Sequence, residues 1–143
     1  MSSLADRVRE RIRRVGSESG SGARAVAMVA ELLPLRDDTE RELGVWLAFV
    51  GRSRHEPALA RIVAEQADAV RQFLAGILED LATLGLRDEV ENPRAEAARI
   101  NALVDGLTLE LLTVPGLLTR DEAGIMLREA LLPGSASRPG GDQ

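Results

Sequence analysis

Apolar residues recur along most of this chain at spacings of three and four, the signature of helices with one greasy stripe, and nowhere in the sustained alternation of strands. Over residues 4–15 the stripe is Leu4, Val8, Ile12 and Val15, with arginines around the rest of the surface, and Gly16 is expected to stop the helix. Residues 16–22, GSESGSG, read as a flexible connection. A second helix is expected over residues 23–33, carrying Val26, Val29, Ala30 and Leu33 and ended by Pro34, which cannot continue it.

Asp37, Asp38 and Thr39 offer capping oxygens, with Glu40 and Glu42 at capping-box spacing, so a third helix is predicted from near Thr39 to about Arg54. Its middle, residues 45–50, is apolar nearly all round, a pattern expected of a helix sandwiched between others. Pro57 suits a first helical position, and Leu59, Ile62, Val63, Val70, Phe73, Leu74, Ile77, Leu78 and Leu81 keep one face down to Gly85. Asn92 before Pro93 starts a fifth helix reaching Val114, which Pro115 and Gly116 close. Thr119 and Glu122 form a capping box for a sixth over residues 120–132, before Pro133 and Gly134. The expected fold is all-α, an antiparallel bundle of about six helices in one domain over residues 1–132, with a disordered tail at 133–143.

The last two helices carry apolar residues on two sides. Ile100, Leu103, Val104, Leu107, Leu111 and Val114 make a broad inward stripe, while Ala102, Gly106, Leu109 and Thr113 form a second seam of mostly small residues. The sixth helix repeats this, with Ala123, Met126, Leu127 and Ala130 inward and Ile125 and Leu132 outward. Small side chains let a second helix approach closely. A second apolar face on both helices implies either packing on the first two helices of the same chain or, in the simpler reading, a homodimer through a two-fold four-helix contact.

Composition narrows the chemistry. With 143 residues and no cysteine, the chain can bury a core without staples, while disulfides, thiolate metal sites and cysteine nucleophiles are excluded. His55, the single histidine, gives no imidazole metal cluster and no Ser–His–Asp assembly, and is expected at the surface end of the third helix. No cofactor is implied, because GSESGSG lacks the strand and lysine of a phosphate loop. The 18 basic and 23 acidic side chains leave a net charge of −5, which does not attract a phosphate backbone. Arg7, Arg9, Arg11, Arg13 and Arg14 are interrupted by Asp6 and Glu10, with no aromatic interleaved, and read as a solvated face. No apolar run approaches a membrane span and the first residues are too charged for a signal peptide, so a cytoplasmic protein without membrane association is expected. With aromatics at 2% against 45% hydrophobic residues, the core must be aliphatic.

The helix order, with VWLAFVGRSRHEPALARIVAEQ at 45–66, ARINALVDGLTLELL at 98–112 and TRDEAGIMLREAL at 119–131, resembles the C-terminal half of TetR-family transcriptional regulators. The resemblance implies dimerisation through the last two helices, effector binding between helices, and a first helix equivalent to the one connecting to the DNA-reading domain. Nothing before Leu4 supplies a helix-turn-helix, so no direct DNA binding is expected of this chain alone. A small lipophilic effector would be lined by Trp46, Phe49 and Val50, by Phe73 and Ile77, and by Leu103, Val104 and Leu107. Gln66, Asn101, Asp105 and Thr108 are the polar groups available to orient it. The alternatives are that these side chains fill a core in an interaction protein without an effector, or that the cavity serves a small enzyme.

Overall fold

A computed structural model describes residues 4–18 and 21–134, which form six α-helices and no strand. They are α1 (Leu4–Glu18), α2 (Ser21–Ala30), α3 (Asp37–Ser53), α4 (Pro57–Thr83), α5 (Pro93–Thr113) and α6 (Arg120–Leu131). Of the tail expected at residues 133–143, residues 135–143 lie outside the described residues.

Local chemistry sets most of these boundaries. Asn92 Oδ1 accepts from the Ala95 N–H at 3.2 Å and Pro93 occupies the first helical position, where a missing N–H costs nothing. Thr119 Oγ1 accepts from the Glu122 N–H at 3.1 Å while Glu122 Oε1 accepts from the Thr119 N–H at 3.3 Å, the reciprocal capping box read from the sequence. At the far end of α4, Gly85 takes φ 72°, and the N–H groups of Gly85 and Leu86 donate to the carbonyls of Ala82 and Leu81. This is a Schellman ending, which requires a residue content in the left-handed region. The third helix starts two residues before the expected Thr39. Arg36 is its cap, and Thr39, in the first turn, exchanges hydrogen bonds of 3.1 Å with the Arg36 N–H and carbonyl.

The core lies between α2, α4, α5 and α6. Val29 and Leu33, Leu74, Leu78 and Leu81, Ile100, Val104 and Leu107, and Ala123, Leu127 and Leu131 are its buried members. Helix α4 pairs mainly with α5, α5 with α6, and α2 rests on both α4 and α6. Helix α3 packs on the side of α4 and α5, and α1 packs chiefly on α2.

Four expectations change here. GSESGSG is not a loop throughout: α1 runs on to Glu18 and α2 already begins at Ser21, with residues 19 and 20 outside the described set. Gly22 sits where an added Cβ would meet Leu86 Cδ1 at 3.3 Å and Leu132 Cδ1 at 4.0 Å, so the glycine permits close approach of α2 rather than flexibility. Helix α3 is not sandwiched: Val45 is 70% exposed and the buried residues of α3 are the polar Thr39 and Ser53. Met126, expected inward, is 41% exposed. Arg11, read as part of a solvated face, is instead held by the carboxylates of Glu31, just after α2, and Glu42 of α3.

Candidate functional site

Trp46 and Phe49 stand one helical turn apart on α3, and their rings stack with centroids 5.4 Å apart and planes 16° from parallel. Phe73 of α4 is the one other aromatic residue of the chain. All three are half-buried, as are Val50 and Gln66. Ile77 on α4 and Val104 and Leu107 on α5 are part of the core, with Leu103 packed against it. Asn101 is buried on α5, Thr108 half-buried and Asp105 exposed. The predicted set therefore divides into core aliphatics, with Phe73 and Leu103 packed against them, and a half-buried Trp46–Phe49 pair on α3, a helix that packs on α4 and α5. Such a pair is what an apolar guest could cover or displace.

Two surface clefts of the described residues lie elsewhere. One, of about 1080 Å³, runs between the start of α2, the α4–α5 connection and the end of α6. Its lining mixes charged residues, among them Arg87, Asp88, Glu89, Glu91, Glu96, Arg99 and Arg128, with Ala23, Leu86, Val90, Ala95, Leu132 and Pro133, so it is an open groove of mixed character. Arg87 spans its floor, donating to the Ala130 and Leu131 carbonyls at 3.4 and 3.2 Å and so satisfying the free end of α6. The second, of about 660 Å³, opens between α3 and α5 beside Asp37, Glu40, Arg41, Gly44, Leu47 and Leu112. No group of metal-ligating side chains occurs among the described residues.

Asp105 keeps much of its surface open to water, yet partial desolvation raises its carboxyl above the ordinary carboxylate range, with the positive charge of Arg71 on α4 working the other way. A carboxyl whose folded pKa is raised favours the native state when protonated. Its contribution is fully present below the unfolded value and is lost as pH rises through the folded one. Asp105→Asn is therefore expected to raise the denaturation midpoint at pH 7, with the gap to the parent closing as the pH falls to about 4. Equal midpoints at pH 7 would contradict a desolvated carboxylate here.

The seam expected to face a partner is open for most of its length. Ala102, Gly106, Leu109 and Thr113 are all exposed, Leu109 by 50%, and so is Ile125 by 56%. A Cβ on Gly106 would meet nothing within 4 Å. Thr113 Oγ1 donates to the Leu109 carbonyl at 2.5 Å, so its hydroxyl is satisfied within α5. Leu132 departs from this face. It follows the last residue of α6 with non-helical backbone (φ −126°, ψ 65°) and is buried at 6% in the chain's own core. Val114 and Leu117, flanking the turn after α5, are also exposed. Sequence reasoning placed Val114 inward, but the helix ends one residue before it.

Comparison with known proteins gives the same architecture. The family described as "BetI-type transcriptional repressor, C-terminal" matches residues 21–132. The HTH-type transcriptional regulator PksA of Bacillus subtilis (strain 168) is 26% identical over 98 residues, which is 68% of this chain and 46% of that protein. The chain thus spans about half the length of this curated relative. The crystal structure of a transcriptional regulator from Rhodococcus sp. Rha1 is similar with a TM-score of 0.74 and 27% identity, over 95% of this chain and 71% of that one.

Proposed function

Since residues 21–132 place this chain in the BetI-type C-terminal family of TetR-like transcriptional repressors, a family of regulators and not of enzymes, we propose that it is the effector-binding and dimerising part of such a regulator. The observation that carries the proposal is the apolar seam of α5 and α6, Ala102, Gly106, Leu109 and Ile125, which the chain's own helices leave uncovered. A second copy related by a two-fold axis would cover it, each α5 meeting its equivalent over small residues. Dimerisation is typical of TetR C-terminal domains, which supports the same reading.

The effector would be small and lipophilic and would enter over Trp46, Phe49, Val50 and Phe73, with Ile77, Leu103, Val104 and Leu107 as its core lining. Gln66 and Asn101 supply the polar contacts. No protein cofactor or metal takes part. Reading of an operator is not assigned to α1–α6, whose surface is net acidic. No helix among the described residues is long and apolar enough to cross a membrane, and action inside the cell goes with the regulatory role.

Two measurements test this. Sedimentation at micromolar concentration is expected to give twice the chain mass of 15.4 kDa. A monomer would remove the dimer. Thermal shift against a panel of apolar metabolites is expected to find ligands that raise the midpoint, because anything that binds only the folded state stabilises it. A dimer that gains nothing from any of them, and whose Trp46 fluorescence does not respond, would favour the alternative of a helical interaction protein with a filled core.

A further inference from the structure

Helix α1 packs chiefly on α2, with its apolar stripe only half-buried. None of its residues 4–15 is buried, and Leu4, Val8, Ile12 and Val15 do not join the apolar core. What reaches inward is a charge. Arg11 donates through Nε to Glu31 Oε2 at 3.1 Å and through both terminal nitrogens to the carboxylate of Glu42, the Nη1 bond being 2.9 Å. Arg7 lies 3.6 Å from the same carboxylate. Glu31, whose side chain is only 7% exposed, is gripped a second time by Arg36, at 2.8 and 3.0 Å.

Forked pairs of guanidinium and carboxylate fix orientation as well as distance, so such a contact is either made or lost. We propose that α1 is a detachable helix, latched to the bundle through Arg11 on Glu31 and Glu42, and that it lifts off as a unit while α2–α6 stay folded. The second grip on Glu31 makes this feasible. When Arg11 leaves for water, Glu31 keeps Arg36 as a partner, so the open state does not strand a buried carboxylate, which would be strongly unfavourable. Glu42 is nearer the surface and is solvated once α1 has gone.

The latch also ties α1 to the far side of the molecule. Arg120, at the start of α6, donates to Asp37 Oδ1 at 3.0 Å and to Glu40 in the first turns of α3. The segment from Glu31 to Glu42 therefore carries ion pairs to α1 on one side and to α6 on the other. A displacement of the start of α3 changes both. This inference does not rest on an effector or on dimerisation, and its test reads neither.

Hydrogen exchange of the intact chain, resolved by helix, measures the latch. In Arg11→Gln the amides of α1 are expected to exchange roughly tenfold faster or more, while those of α4, α5 and α6 keep their rates within about twofold. Glu42→Gln is expected to act in the same direction. Arg13→Gln, at a residue paired with Glu10 inside α1 and largely exposed, is expected to change nothing. Unchanged protection of α1 in Arg11→Gln would overturn the latch. So would equal loss of protection across all helices, or failure of both Arg11→Gln and Glu42→Gln to fold, since α1 would then be part of the cooperative core.

Discussion

Leu109→Asp is expected to yield a folded helical chain that sediments as a monomer. Leu109 is half-exposed in the single chain, so a carboxylate there is hydrated and the bundle loses little. In a two-fold contact the same carboxylate is buried twice, once from each copy, beside the small residues Ala102 and Gly106 that allow close approach. Taking two unpaired charges out of water costs several kcal/mol, which at about 1.4 kcal/mol per tenfold weakens the dimer by roughly 100-fold or more. Gly106→Leu provides an independent version, because a side chain at Gly106 meets open space in the single chain and the partner helix only in the dimer. Analytical ultracentrifugation with circular dichroism decides the matter. A Leu109→Asp protein that remains a dimer at micromolar concentration would move the interface away from α5.

Inferences that depended on neighbours within one or two turns were readable in the sequence. Asn92 with Pro93, Thr119 with Glu122, and Pro57 each carry their boundary in their own chemistry, and spacing finds the buried part of the stripes, Leu74 to Leu81 on α4 and Ile100 to Leu107 on α5, while Ile62 and Val114 of the same stripes are exposed. Arg11 was not readable, because its partners are 20 and 31 positions away and periodicity shows only that an arginine lies off the apolar stripe. The glycines of GSESGSG signalled a loop, since each costs a helix about 1 kcal/mol relative to alanine. Gly22 is there because α2 lies against Leu86 and Leu132, a tertiary demand that outweighs local preference. The signal that could have helped was the arginine-to-glutamate balance: Glu31 follows an apolar helix and faces inward, and an inward glutamate needs a cation.

Helix α3 is the instructive case for the candidate site. An all-round apolar stretch indicates that something covers it, but not whether the cover belongs to the same chain. Here the chain covers one side, through α4 and α5, and leaves Val45 bare and Trp46, Phe49 and Val50 half-covered. The sequence therefore marked the apolar residues of α3 without showing which side the chain leaves open. Leu132 shows the opposite error. By helical spacing it points outward, yet α6 ends at Leu131 and the changed backbone of the next residue swings the side chain into the core.

The division between core and cover makes Leu78→Ala a strongly destabilising truncation. Leu78 is 1% exposed on α4 and belongs to the core shared by α2, α4, α5 and α6. A buried leucine cut to alanine costs about 2–5 kcal/mol, the upper part of that range applying where the cavity cannot collapse. For a chain of this size the melting temperature should fall on the order of 10 °C, with the denaturant slope unchanged. Val45→Ala removes a comparable apolar side chain from α3 and is expected to cost less than about 0.5 kcal/mol, because water already surrounds it. The ratio of the two, measured by urea denaturation of each variant against the parent, tests where the core lies. Comparable losses would mean that Val45 is covered in solution, which would make the outer face of α3 part of an assembly and leave the Trp46–Phe49 pair closed to an entering ligand.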